Sequence, residues 1–197
     1  VLTCSARAAE VVTYMHPSSN FVPVKWMYDA MYQNGISGIL VSTPTETSGY
    51  QDRHHKKGQR DTIIVIPDGV RDQSRVDVIY WFHGLTGFKE KTFKTRLGPQ
   101  YGWLLNEKMI PAILVVTELP WSWFTATRWK RQGKVFRKLD EFLSYTEEVE
   151  MVIMTHLPTK TNLSFSRIIV GHSAGGSAIA SAAKYGGLCK TRPMGAQ

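Results

Sequence analysis

Apolar residues fall into two kinds of run along this 197-residue chain. Short runs predict strands at Ile36 to Ser42, Thr62 to Ile66, Val76 to Phe82, Pro111 to Thr117 and Arg167 to Val170. The later runs are continuous rather than alternating, as strands buried on both faces of a parallel sheet read. Between them, apolar residues recur every three to four positions, which predicts helices over Arg96 to Lys108, Lys134 to Leu157 and Ser177 to Tyr185. The longest carries Phe136, Leu139, Phe142, Leu143, Val149, Val152 and Ile153 on one face. The last is rich in Ala and ends at Gly186-Gly187, a C-cap signal.

Turn signals punctuate these runs at Asn34-Gly35 and Pro67-Asp68-Gly69. The polar stretch from Thr43 to Arg60 reads as a loop, and no helix separates the first two strands, which predicts an antiparallel start. The later strands alternate with helices and imply right-handed crossovers. The fold class is therefore α/β, a three-layer α/β/α sandwich with a mostly parallel central sheet. Residues 1–35 contain Phe21, Trp26, Tyr28 and Tyr32 without a clear period and form a segment with no assigned structure; 36–197 read as the α/β domain.

Composition narrows the class. With 43% hydrophobic and 20% charged residues the chain can bury a core, which excludes a disordered tail. No run reaches the roughly 18 to 20 apolar residues that span a bilayer. Cys4 and Cys189 are too few for a disulfide scaffold or a self-contained zinc site, and their pairing stays open. Ala6-Arg7-Ala8 has the small-x-small pattern of a signal-peptidase site, so a secreted or periplasmic location stands beside a cytoplasmic one. The net charge of +8 raises nucleic acid as a partner, but no recognised motif or repeated basic-aromatic pattern supports it. His54-His55 lacks acidic or Cys partners at ligand spacing, so no metal site is assigned and the pair reads as a solvated loop. Oligomeric state has no sequence signal.

The chemistry concentrates after the fifth strand. Gly171-His172-Ser173-Ala174-Gly175-Gly176 is G-x-S-x-G between a strand and a helix, the context in which that motif makes a nucleophile elbow. A sharp turn lifts the Ser173 hydroxyl off the sheet's end. Gly171 and Gly175 stand where a β-carbon would clash, and the helix N-terminus points its free N–H groups at the reacting oxygen. His83-Gly84-Leu85-Thr86-Gly87 follows the third strand as an H-G-x-x-G loop. Acyl transfer needs two backbone donors on the developing oxyanion, and the N–H groups of Leu85 and Ala174 are the candidates. Gly84 and Gly87 let the loop curl inward, while His83 reads as a buttress of that loop rather than a base.

On these residues the chain resembles the α/β-hydrolase superfamily. Within it, the chain is most similar to the putative-esterase group that includes feruloyl and acetyl-xylan esterases and S-formylglutathione hydrolase. The resemblance runs from about Ile63 to Gly187 and rests on VIYWFHGLTG, FLSYTEEVEMVIMTHLPT and SRIIVGHSAGG. It implies a Ser–His–Asp triad, no cofactor, and a small-molecule or glycan-linked ester as substrate. Lipases, peptidases and acyltransferases share the same elbow.

The triad is incomplete in this sequence. The acid and base follow the serine in chain order in this fold, yet the 24 residues after Ser173 hold no Asp, Glu or His. Three readings follow: a fragment of a longer serine esterase; a pseudoenzyme that serves as a non-catalytic binding protein; or an upstream imidazole, from His16, His54, His55 or His156, recruited as base. A nucleophile strand left at the sheet's edge would also expose apolar surface, which favours the fragment.

Two features flank the site. Arg128 to Lys138 holds six basic residues and no acid, and would either attract an anionic substrate or form a solvated basic face. Basic residues there would oppose the dipole of the long helix, and Glu147, Glu148 and Glu150 lie toward its unfavourable end. Trp121, Trp123 and Trp129 follow the fourth strand and would contact an aromatic or sugar group, or pack as a cover over the core.

Overall fold

The computed structural model describes residues 11–15, 25–46, 59–84, 97–117, 119, 135–136, 138–157 and 163–185. Among the described residues are six strands: β1 (Val11–Met15), β2 (Gly38–Glu46), β3 (Gln59–Pro67), β4 (Arg75–Phe82), β5 (Ala112–Thr117) and β6 (Ser164–Gly171). Four α-helices accompany them among the described residues: α1 (Lys25–Gln33), α2 (Gly98–Asn106), α3 (Glu141–Thr155) and α4 (Gly175–Lys184). The strands form one sheet in the order β1-β2-β3-β5-β4-β6. β3 runs antiparallel to both β2 and β5, while β1 with β2, β5 with β4, and β4 with β6 are parallel.

Side-chain alternation explains why the strand sequences are apolar throughout. Ile64, Ile66, Val78, Tyr80, Phe82, Ile113 and Val115 face one way, onto Phe142, Tyr145, Val149 and Ile153 of α3 and Ala178 and Ala182 of α4. Ile63, Val65, Trp81, Leu114 and Val116 face the other way, onto Met27, Ala30 and Met31 of α1 and Leu97 and Tyr101 of α2. Successive residues therefore serve opposite cores, which makes the three-layer sandwich. β6 differs. Phe165 and Ile169 pack on the first core, but Ile168 and Val170 point to the opposite face and are 42% and 41% exposed. β6 is the terminal strand of the described sheet, as the sequence argument on an exposed edge expected.

Three differences from the sequence expectations stand out. The segment before Ile36, which was assigned no element, contains β1 and α1; α1 buries Met27, Ala30 and Met31 at i, i+3, i+4 spacing. The long helix starts at Glu141, not Lys134: Phe136 is buried with φ 57°, Asp140 has φ 59°, and Leu139 is 71% exposed. Left-handed backbone interrupts the helix whatever the apolar period suggests. The first turn now holds the acid Glu141, whose Oε2 accepts from the Lys138 N–H at 3.0 Å, so the dipole is complemented rather than opposed there. Finally, α4 opens at Gly175, two residues ahead of the expected Ser177.

Candidate active site

Strands β4 and β6 end side by side, with Phe82 in register with Gly171. The pairing continues one residue further, because the His172 N–H donates to the Phe82 carbonyl at 3.0 Å. Both chains then turn at the C-terminal edge of the sheet, the end where open α/β sheets bind ligands. One turn carries His83 and Gly84, and the other carries His172, Ser173 and Ala174. A β-carbon on Gly84 would lie 3.1 Å from the Ser173 β-carbon, so the two sequence motifs meet at this point.

Ser173 is exposed and has φ 55°, the left-handed region that L side chains rarely adopt. The strain is held by what surrounds it. The Gly175 N–H donates to the His172 carbonyl at 2.9 Å and the Gly176 N–H to the Ser173 carbonyl at 3.0 Å, closing the turn directly into α4. A β-carbon on Gly171 would stand 2.7 Å from Ile179 Cδ1 and 2.9 Å from the Gly175 carbonyl carbon. Gly175 is tighter still, while at Gly176 an added β-carbon meets nothing within 4 Å. Among the described residues, no backbone carbonyl takes the Ala174 N–H, which lies at the N-cap of α4. The carbonyl of Ala174 accepts from the Ser177 hydroxyl at 2.7 Å and from the Ser177 N–H at 3.0 Å.

His83 is 1% exposed, and both its ring nitrogens are engaged. The Leu119 N–H donates to Nε2 at 2.7 Å, which makes that nitrogen an acceptor; the proton is then on Nδ1, which donates to the Gly84 carbonyl at 2.7 Å. Burial pushes the imidazole down to about 4. His83 therefore ties its loop to the segment after β5 and has no free lone pair for a base. Behind it, Phe82 packs on Phe136 with ring centroids 5.6 Å apart. His156 caps the C-terminus of α3 and packs at a tilt against Tyr14 of β1, ring centroids 4.6 Å apart, near the sheet edge opposite β6. Five strand spacings separate those edges, roughly 24 Å, so His156 does not reach Ser173.

Leu85, Gly87, Trp121, Trp123 and Trp129 lie outside the described residues, as do His16, His54 and His55, and most of the Arg128 to Lys138 run. Among the described residues no group of three His, Cys, Asp or Glu side chains could hold a metal ion. No helix in the described part is long and apolar enough to cross a membrane. By sequence, Glu150 has a place on the long helix but no partner. Glu150 of α3 is buried and pairs with Arg167 of β6. The available signal was an Arg heading the apolar run Ile168 to Val170.

No curated protein matches the chain. Among solved structures, a mutant of the rice cell wall degrading esterase LipA from Xanthomonas oryzae is similar, at 15% identity and a TM-score of 0.44. The match covers 85% of this chain and 44% of that one, so this chain spans less than half of that protein's length. The family model described as putative esterase matches residues 55–190, which takes in both turns and the whole of β4 to α4. The chain belongs to the putative esterase family.

Proposed function

We propose that the protein is a carboxylic-ester hydrolase that works through an acyl-enzyme on Ser173. The observation that carries the reading is the exposed Ser173 at φ 55°, held between Gly84 and the first turn of α4. A serine in that conformation costs about 1 to 3 kcal/mol, and such strain gathers at reactive sites. Family membership supports an ester substrate.

In the proposed reaction Ser173 Oγ attacks the ester carbonyl as a base takes its proton. The tetrahedral oxyanion is stabilised by the Ala174 N–H and the Leu85 N–H. Expulsion of the alcohol leaves an acyl-enzyme, which water hydrolyses with the same base. Each missing oxyanion donor is worth about 3 kcal/mol of barrier. No cofactor enters this chemistry. His83 holds the oxyanion loop. Neither His83, whose ring nitrogens are both occupied, nor the remote His156 serves as that base.

Fluorophosphonate labelling followed by intact mass tests the proposal. The full-length protein, read through its natural frame, is expected to take one adduct that Ser173→Ala abolishes, and the 197-residue chain to label weakly or not at all. Absence of labelling in the full-length protein refutes the enzyme reading and leaves the non-catalytic binding protein.

A further inference from the structure

A carboxylate buried inside an apolar helix face calls for a reason, because an unpaired charge there is strongly destabilising. Glu150 is 3% exposed in the middle of α3. Its Oε1 accepts from Arg167 Nε at 2.6 Å and from the Tyr80 hydroxyl at 3.3 Å, and its Oε2 accepts from Arg167 Nη2 at 2.8 Å. The Arg–carboxylate pair is a two-pronged fork, which fixes distance and orientation together. Burial raises the Tyr80 phenol well above its usual range, with the Glu150 charge adding to the effect, so Tyr80 remains a donor. The hydrogen bond to Glu150 likewise raises the Arg167 guanidinium.

The two partners of Glu150 sit on the two strands that end at the candidate active site. Tyr80 lies on β4, two residues before Phe82, and is in register with Ile169 of β6. Arg167 lies on β6, in register with Val78, and is the one charged residue of that strand. Among the described residues β6 pairs with β4 alone. A slip of one residue would swap its faces and carry Ser173 away from Gly84. Apolar contacts of Phe165 and Ile169 tolerate sliding; a bidentate fork does not.

We propose that Glu150 and Arg167 are positioning residues for Ser173, a clamp that pins β6 to α3 and β4 and so sets the turn bearing Ser173 against Gly84. The catalytic half of this inference rests on the reading of Ser173 as nucleophile. The mechanical half does not.

The test pairs amide hydrogen exchange with fluorophosphonate labelling in the full-length protein. The variants are Glu150→Gln, Arg167→Lys and, as a control, Ile153→Ala, which removes a fully buried apolar group from the same helix. Glu150→Gln is expected to speed exchange at the Gly175 and Gly176 amides about tenfold relative to β3 and β5 amides. It should slow labelling at least tenfold, with kcat for a small ester falling and KM unchanged. Arg167→Lys keeps the charge but loses the fork and should recover part of the rate. Ile153→Ala should lower global stability without changing the ratio of elbow to sheet exchange. The clamp is overturned if Glu150→Gln leaves that ratio at the wild-type value, or if Ile153→Ala shifts it equally. A wild-type protein that does not label, while Glu150→Gln still loosens the elbow, refutes the nucleophile reading and supports the clamp.

Discussion

Gly175 stands against the end of β4 so closely that a β-carbon would lie 2.2 Å from the Phe82 carbonyl oxygen and 3.0 Å from that of His83. Helix α4 thus begins in contact with the backbone of the neighbouring strand, and the Ser173 turn and the His83–Gly84 turn behave as one joint. Both obstructing atoms are backbone, with no flexible side chain to give way. Gly175→Ala is expected to destabilise the fold by about 3 kcal/mol, the upper end of overpacking costs. Gly176 is the internal control, because it sits one residue on in open space. Gly176→Ala should stabilise by roughly 0.5 to 1 kcal/mol through helix propensity alone. Urea denaturation of the two variants checks the contrast, and similar midpoints would contradict the close approach at Phe82.

His83 makes the same joint sensitive to acid. Its folded-state value lies near 4, below the ordinary 6.5, because burial disfavours the imidazolium. Protonation would also set a second N–H against the Leu119 N–H that now donates to Nε2. The unfolded chain therefore binds the extra proton first as pH falls, and stability declines through the window from about 6.5 to about 4. The contribution is present in full above that window, and over it the loss approaches about 3 kcal/mol. Thermal melts at half-unit pH steps should show this fall, and His83→Gln should flatten it. A wild-type profile that stays level between pH 6.5 and 4 would remove His83 from the account.

Much of this arrangement was legible in the sequence, and the exceptions have physical causes. The run at Val76 to Phe82 reads as a doubly buried strand because Val78 and Trp81 do face different cores, whereas the run at Arg167 to Val170 buries one face only and leaves Ile168 and Val170 exposed. The meeting of Gly84 with Ser173 followed from two glycine motifs placed after neighbouring strands. α1 left a helical signal in Met27, Ala30 and Met31, masked by the surrounding aromatics. β1 is five residues long at the sheet's edge and leaves Val12 and Tyr14 exposed, so it has little burial to pattern. The start of α3 misled because Phe136 keeps the helical period while its backbone is left-handed. The Glu150–Arg167 pair joins residues 17 apart across two layers, and no local pattern names a partner at that range.

A second polar joint lies on the far side of Phe82. Thr117 at the end of β5 shares a hydrogen bond with the buried Tyr145 hydroxyl of α3, Thr62 also bonds to Tyr145, and Thr45 joins Thr62 at 2.7 Å. Burial raises the Tyr145 phenol far above its usual range, so it stays neutral. Tyr145→Phe leaves the buried Thr117 hydroxyl without this partner and is expected to cost about 1 to 3 kcal/mol. Adding Thr117→Val removes an orphaned partner and should restore part of that loss. A double-mutant cycle in urea measures the coupling, and strict additivity would mean the hydroxyls do not act together.

The backbone of Ser173 offers a measure of function's cost that needs no substrate. At φ 55° a β-carbon is strained whether it carries a hydroxyl or not. Ser173→Ala removes the hydroxyl and keeps the strain, so its stability should stay close to that of the wild type. Ser173→Gly removes the β-carbon, and also the 3.1 Å approach that a β-carbon on Gly84 would face, which measures how tightly the two turns are set. The strain released, about 1 to 2 kcal/mol, exceeds the entropic penalty of a new glycine of roughly 0.5 to 1 kcal/mol. Ser173→Gly should therefore be more stable than Ser173→Ala by up to about 1 kcal/mol, read as a difference in urea midpoints at equal m-values. If the alanine variant is the more stable of the two, the residue is not held in the left-handed region in solution, and the strained-serine argument for the nucleophile loses its footing.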